Sequence, residues 1–168
     1  MTRRLVLIRH AKAGDGAVDH ERPLAARGHS DATDIGRWLA DRGIEPDRVV
    51  VSTARRTRQT WALVCAELAS PSEPEFDERI YYNIVDDLLD VVRETPAARN
   101  TVVLVGHNPA VQEFAIFLDD GAGDAEIRRR VHGKFPTSAV AIIDFDGGWG
   151  ELDTGAGPLT AYGDPGDF

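Results

Sequence analysis

Two histidines and a few arginines carry the chemistry this chain could perform. Arg9 and His10 follow the unbroken apolar run Leu5-Val6-Leu7-Ile8. Ser52-Thr53-Ala54-Arg55-Arg56 follows Val49-Val50-Val51. His107, with Asn108 and Pro109, follows Val102-Val103-Leu104-Val105-Gly106. An imidazole among guanidiniums suits nucleophilic attack on a dianionic phosphoryl group. The free pKa of imidazole is about 6.5, so neighbouring positive charge keeps its lone pair available at neutral pH. Guanidiniums grip phosphoryl oxygens bidentately and offset charge in the transition state. His107 could donate a further hydrogen bond to those oxygens. A phospho-His10 intermediate, later hydrolysed by water, would follow.

The elements that must position these groups alternate in type. Short runs of Leu, Val and Ile read as strands buried on both faces, as in a parallel sheet. Helical spacing marks residues 30–39 (Ala32, Ile35, Gly36, Leu39), with a stop at Asp41-Arg42-Gly43. Further helices are expected over 57–68, stopped before Pro71, over 88–93 and over 111–118. Pro109 suits the first turn of the last helix, with Asn108 as its cap. Residues 11–26 read as a long loop, and 79–82 are ambiguous. A fourth strand is expected over 138–145. A fifth over 149–152 would form a hairpin across Asp146-Gly147-Gly148. The Gly- and Pro-rich tail, 155–168, reads as irregular. The pattern predicts one domain over 1–168, a three-layer α/β/α sandwich with a largely parallel central sheet. Ligands of such sheets bind at the carboxyl ends of the strands, where all three motifs fall.

The chain has 168 residues and a formal net charge of −9. That balance argues against nucleic acid or an anionic membrane as a partner. Any anion site must be built against the overall field by cations placed locally. No apolar stretch is long enough to span a bilayer. The run behind Met1-Thr2-Arg3-Arg4 is too short for a signal peptide, so a cytoplasmic location is expected. The single cysteine, Cys65, can form no internal disulfide and reads as an inert core residue. His20, His29 and His132 match no metal-site spacing, so neither metal nor cofactor is expected. Gly14, Gly16 and Gly121-Ala122-Gly123 lack the Lys-Ser or Lys-Thr of a phosphate-binding loop. Arg128-Arg129-Arg130 is either a solvated helix face or a dock for an acidic phosphocarrier. Residues 119–135 are polar enough to form a flap over the pocket.

Taken together, these stretches resemble the histidine phosphatase superfamily, whose fold is phosphoglycerate mutase-like, and within it the SixA-type phosphohistidine phosphatases. The resemblance rests on Leu7-Ile8-Arg9-His10-Ala11-Lys12-Ala13, Arg22-Pro23-Leu24 with Arg27-Gly28, residues 52–60, and Val105-Gly106-His107-Asn108-Pro109. It implies that His10 is the phosphorylated nucleophile and Arg9 the arginine before it. Arg56 matches the arginine ahead of Thr57, Gln59 and Thr60, and Arg55 is then solvated or structural. His107 matches the second histidine. Arg22 matches an arginine that reaches the phosphate pocket, and Asn108 is expected to help bind substrate. Lys12 either adds positive potential at the rim or is a solvated loop lysine.

The sequence departs from the family pattern at two points. Ala11 replaces the glycine of the Arg-His-Gly motif. No residue clearly matches the acidic proton donor of the larger relatives, for which Glu78, Asp77 and Asp19 are candidates. An alkoxide leaving group has a conjugate acid near that of water, about 15.7, and needs such a donor. An imidazole leaves more easily because it can carry its own proton on the far nitrogen. The expected substrate is therefore phosphohistidine, on a protein phosphocarrier. The alternatives are a small-molecule phosphomonoesterase of the same fold and a phospho-ligand binding protein without turnover. A monomer is the default.

Overall fold

The structure, a computed structural model, describes residues 1–70 and 72–168. Six strands form one sheet: β1 (Thr2–Arg9), β2 (Arg48–Ser52), β3 (Pro74–Asp77), β4 (Thr101–Gly106), β5 (Val140–Asp146) and β6 (Leu159–Gly163). Their spatial order is β3-β2-β4-β1-β5-β6. The β3-β2, β2-β4 and β4-β1 pairs are parallel, and β1-β5 and β5-β6 are antiparallel. Helices α1 (Ala26–Asp41), α2 (Arg55–Cys65), α3 (Glu78–Tyr81), α4 (Val85–Arg93), α5 (Ala110–Leu118) and α6 (Ala125–His132) complete an α/β fold.

The alternation within β1 shows why the sheet is covered on both faces. Leu5 and Leu7 pack into one core with Phe114, Leu118 and Trp149. Val6 and Ile8 pack into the other with Ile35, Leu39 and Trp61. All four β1 side chains are fully buried, and each such burial contributes about 1.5–3 kcal/mol. A polar residue at any of these positions would face an apolar layer of helices.

Register decides where the motifs meet. Arg9 pairs with Gly106, and Val51 pairs with Val105. The residues that leave β1, β2 and β4 therefore emerge at one level of the sheet. Ser52 pairs with Asp77, so α3 starts at that level too. The loop after β1 folds back on itself through an Ala13–Leu24 bridge. Gly28 lets α1 lie against this loop, because a Cβ there would sit 2.1 Å from the Lys12 carbonyl oxygen.

Several expectations need correction. Residues 149–151 form a single 3-10 turn, and the strand beside β5 is β6, from the tail read as irregular. Leu159 and Tyr162 anchor that strand in the core, and Gly155, Gly157 and Pro158 before it end where pairing begins. Asn108 does not cap α5. Its side-chain N–H bonds the Phe135 carbonyl, and Asn83 Oδ1 accepts the Ala110 amide instead. Residues 79–82 lie in and just after α3. Helix α2 ends at Cys65, which is half-buried at the edge of a core, and Pro71 lies outside the described residues. The 119–135 segment contains α6, capped by Asp124 and fastened to Asp119, Asp164 and Asp167.

Candidate active site

His10 sits one residue beyond β1 and is 9% exposed. Its Nδ1 lies 2.8 Å from the Ala11 carbonyl oxygen. A carbonyl only accepts, so the ring proton is on Nδ1 and Nε2 keeps its lone pair. Burial, and then the charges of Arg56, Arg9 and Arg22, push the His10 pKa down to about 4. The ring is neutral at pH 7. Main-chain contacts fix it: the His10 amide donates to Gly106, and the Ala11 amide donates to Thr60 Oγ1. Ala11 is fully buried.

His107 lies beside it, with ring centroids 5.2 Å apart. Its Nε2 is 2.7 Å from Ser52 Oγ, and its Nδ1 is buried with no partner among the described residues. We assign the Ser52 hydroxyl as donor to Nε2, which places the His107 proton on Nδ1. Burial, followed by His10 and Arg56, lowers the His107 pKa to about 3. Both rings are thus neutral, one with a free lone pair and one with a free N–H.

Three arginines surround the pair. Arg9 donates from Nη1 to the Phe135 carbonyl at 2.9 Å, its Nε is buried without a partner among the described residues, and burial lowers its pKa. Arg56, in the first turn of α2, is 7% exposed. It donates to the Asp19 carbonyl and to Asp19 Oδ2, at 2.9 and 3.2 Å. Arg22 donates to the Gly14 carbonyl and to Asp19 Oδ1, at 3.0 and 3.2 Å. Helix α2 begins at Arg55, and amides at such a terminus favour an anion. Its start is shaped by the Thr57 hydroxyl, which donates to Ser52 O at 2.9 Å. Gln59 accepts the Leu24 amide and so holds the loop that carries Arg22.

The chain matches the model of the histidine phosphatase superfamily (branch 1) over residues 5–86. A solved SixA-type protein of Nakamurella multipartitia is 32% identical, with a TM-score of 0.85 over 98% of this chain and 97% of that one. The chain belongs to the histidine phosphatase superfamily. The phosphohistidine phosphatase SixA of Escherichia coli is 29% identical over 145 residues, 83% of this chain and 84% of that protein. A solved protein histidine phosphatase SixA complexed with tungstate is 25% identical, with a TM-score of 0.74 over 97% of each chain. The match is therefore to the SixA-type branch of histidine phosphatases, with the phosphoglycerate mutase-like fold.

Of the site residues expected from sequence, the fold brings His10, Arg9, Arg56, His107 and Arg22 to one place. Asn108 adjoins them but spends its N–H groups on Phe135 and Gln112. The Lys12 side chain is exposed, and its carbonyl accepts the Ala25 amide. The three candidate acids differ sharply. Asp77 is bonded by Arg79, which holds its carboxyl below the usual range. Glu78 is exposed and accepts from the Tyr82 hydroxyl at 3.2 Å. Asp19 belongs to the histidine phosphatase pocket. Its pKa is lowered to about 2 by the Tyr81 hydroxyl first, with Arg22 and Arg56 adding to the effect.

Sequence reasoning missed three neighbours. Ser52 orients His107, Tyr81 donates to Asp19 at 2.8 Å, and Asn83 ties the β4–α5 turn to the segment after α3. Only Ser52 had a visible signal, as the residue ending a buried strand. Arg128-Arg129-Arg130 is not a free basic patch. Arg128 bonds Asp119, Arg129 bonds Glu126, and Arg130 bonds Asp164 and Asp167.

Proposed function

We propose that this phosphatase hydrolyses phosphohistidine, carried on a protein, through a phospho-His10 intermediate. His10 Nε2 attacks phosphorus while the bond from phosphorus to the departing imidazole nitrogen breaks. The electron pair stays on that nitrogen. With its far nitrogen protonated, the ring leaves as neutral imidazole. Arg9, Arg56 and Arg22 hold the phosphoryl oxygens, and the His107 Nδ1–H donates to one of them. Water then attacks phosphorus, the bond to His10 Nε2 breaks, and the pair returns to the ring. Both protons of the water leave on the phosphate, as dihydrogen phosphate.

The observation that carries this reading is the state of the carboxylates. Asp19 and Asp77 are held ionised by their partners, and Glu78 faces solvent. Neither aspartate is a carboxyl group kept protonated for an alkoxide, as a general acid must be. A pocket so equipped favours a P–N bond over a P–O bond. The test compares kcat/KM on a phosphohistidine protein with values on sugar and aryl phosphates. We expect the phosphohistidine protein to lead. A strong preference for a sugar phosphate would defeat the reading, and absence of radiolabelled phosphate on His10 would defeat the intermediate.

A further inference from the structure

Asp19 is placed where a phosphatase would not be expected to hold an anion. One carboxylate takes N–H groups from two pocket arginines, Arg22 and Arg56, and a third donor, the Tyr81 hydroxyl. Among the described residues no other carboxylate is paired with Arg9, Arg22 or Arg56. The turn that carries Asp19 is a single 3-10 turn, Asp19–Glu21, fastened a second time where His20 Nε2 meets Thr53 Oγ1 at 2.9 Å. His20 also packs edge-on against Tyr81, with centroids 4.8 Å apart. Asp19 is therefore locked in place.

Its depth differs from that of the groups it contacts. The Arg56 side chain is 8% exposed and the Asp19 side chain 55%. His10 and Arg56 are the buried groups of the pocket, and Asp19 is its solvent-facing one. In-line displacement by His10 sends the leaving group away from the buried groups. That direction is the solvent side, the side on which the half-exposed Asp19 carboxylate meets Arg22 and Arg56.

We propose that Asp19 is a specificity-determining residue, whose fixed negative charge on the leaving-group side disfavours substrates with anionic leaving groups and accepts the N–H of a departing imidazole. This rests on reading the pocket as a phosphoryl site and deepens it by naming the substrate charge that the site rejects. Repulsion of a wrong partner is a common source of selectivity, and it acts without adding affinity for the right one. The same carboxylate also competes with the bound phosphoryl group for Arg22 and Arg56.

The experiment measures binding rather than turnover, with the full chain carrying His10→Ala so that no ligand is consumed. The probes are inorganic phosphate, glycerol 3-phosphate and 3-phosphoglycerate. The last two differ chiefly by a hydroxymethyl group against a carboxylate. Titration calorimetry should find 3-phosphoglycerate bound about tenfold more weakly than glycerol 3-phosphate. Adding Asp19→Asn should remove most of that ratio and tighten inorganic phosphate several-fold. Adding Tyr81→Phe instead keeps the carboxylate and should keep the ratio. An unchanged ratio in the Asp19→Asn protein would overturn the proposal. So would weaker phosphate binding there, because Asp19 would then serve only to hold the arginines. Failure of the His10→Ala chain to bind inorganic phosphate at all would instead sink the phosphoryl-site reading. Circular dichroism of each variant separates these outcomes from loss of fold.

Discussion

Two regions of this molecule concentrate arginine, and they are built in opposite ways. Around His10, the guanidiniums of Arg22 and Arg56 share one carboxylate, Asp19, and Arg9 is paired with none among the described residues. On α6, Arg128, Arg129 and Arg130 face four: Asp119, Glu126, Asp164 and Asp167. The first cluster is short of negative charge and keeps a buried Arg9 Nε without a partner among the described residues. The second is neutralised and ties α6 to the end of the chain. In a protein of net charge −9, a cationic site exists only where the fold withholds carboxylates. A run of three arginines in the sequence is thus a poorer sign of an anion site than three single arginines on separate elements.

The sharpest way to break this contrast is to remove the nucleophile itself. His10→Ala should lower kcat by at least about 10⁴-fold, because a covalent route cannot proceed without it. Radiolabelled phosphate should no longer be trapped on the protein. The fold should persist, since the main-chain bonds that place His10 do not use its ring. Retained activity would mean that the cationic cluster serves another nucleophile.

The two arginine clusters can then be set against each other. Arg56→Ala or Arg9→Ala should cost about 10²–10³ in kcat, the usual effect of removing one charge-stabilising contact. Arg128→Ala should leave kcat and KM within about twofold, because its guanidinium belongs to Asp119. Steady-state kinetics on one substrate decides. A large rise in KM for a protein substrate with Arg128→Ala, and none for a small one, would restore the docking role.

The pH dependence of stability probes the same site from the other side. In the folded protein the His10 pKa is lowered to about 4 and that of His107 to about 3. Unfolded, each titrates near 6.5. The unfolded chain therefore binds more protons below that value, and stability falls as pH falls. The contribution is complete above pH 6.5 and is lost between 6.5 and about 4 for His10 and between 6.5 and about 3 for His107. By pH 5 the loss should reach about 2–4 kcal/mol for the pair. Urea unfolding at pH 7.5, 6 and 5 measures it, and His107→Gln should flatten the curve. A midpoint that does not move across this range would show that the rings are hydrated.

How much of this was legible in the sequence depended on burial. The strands β1, β2 and β4 are covered on both faces, so their sequences are continuous apolar runs that announce themselves. The groups at their ends were therefore legible as well, including His10, Arg56 and His107. The edge strands gave no such signal. In β3, Glu75 and Phe76 are exposed, and β6 follows Gly155, Gly157 and Pro158. Asp19 was visible only as one of three possible acids. Its true setting, between Arg22, Arg56 and Tyr81, comes from a loop and from α3, whose approach is fixed by the β2–β3 register. Long-range placement of an aperiodic segment has no local signature. The capping of α5 by Asn83 was hidden for the same reason, because the cap comes from a residue 27 positions away.

A smaller effect separates a positioning group from those that touch substrate. Ser52→Ala removes the hydroxyl held against His107 Nε2. One neutral hydrogen bond is worth about 1 kcal/mol, so kcat should fall about fivefold with KM little changed. Ser52→Thr should restore part of the loss. A fall as large as that of Arg56→Ala would place Ser52 among the groups that contact the phosphoryl oxygens.

The smallest expected effects lie within the α6 cluster and test whether neutralised arginines differ among themselves. Arg130 is partly buried, bonds Asp164 and Asp167, and lies 4.4 Å above the Tyr162 ring. Arg130→Ala should destabilise the fold by about 1 kcal/mol, since it releases three contacts that hold the end of the chain. Arg129 is 70% exposed, and its only partner among the described residues is Glu126 on the same helix. Arg129→Ala should leave the unfolding midpoint where it was, because an exposed pair on one helix is screened by water and salt. The two substitutions remove the same charge from neighbouring positions, so net charge cannot account for a difference between them. Equal midpoints would mean that the end of the chain is held by β6 and the core alone. A lower midpoint for Arg130→Ala only would show that the carboxylates facing α6 stabilise the fold through position rather than through number.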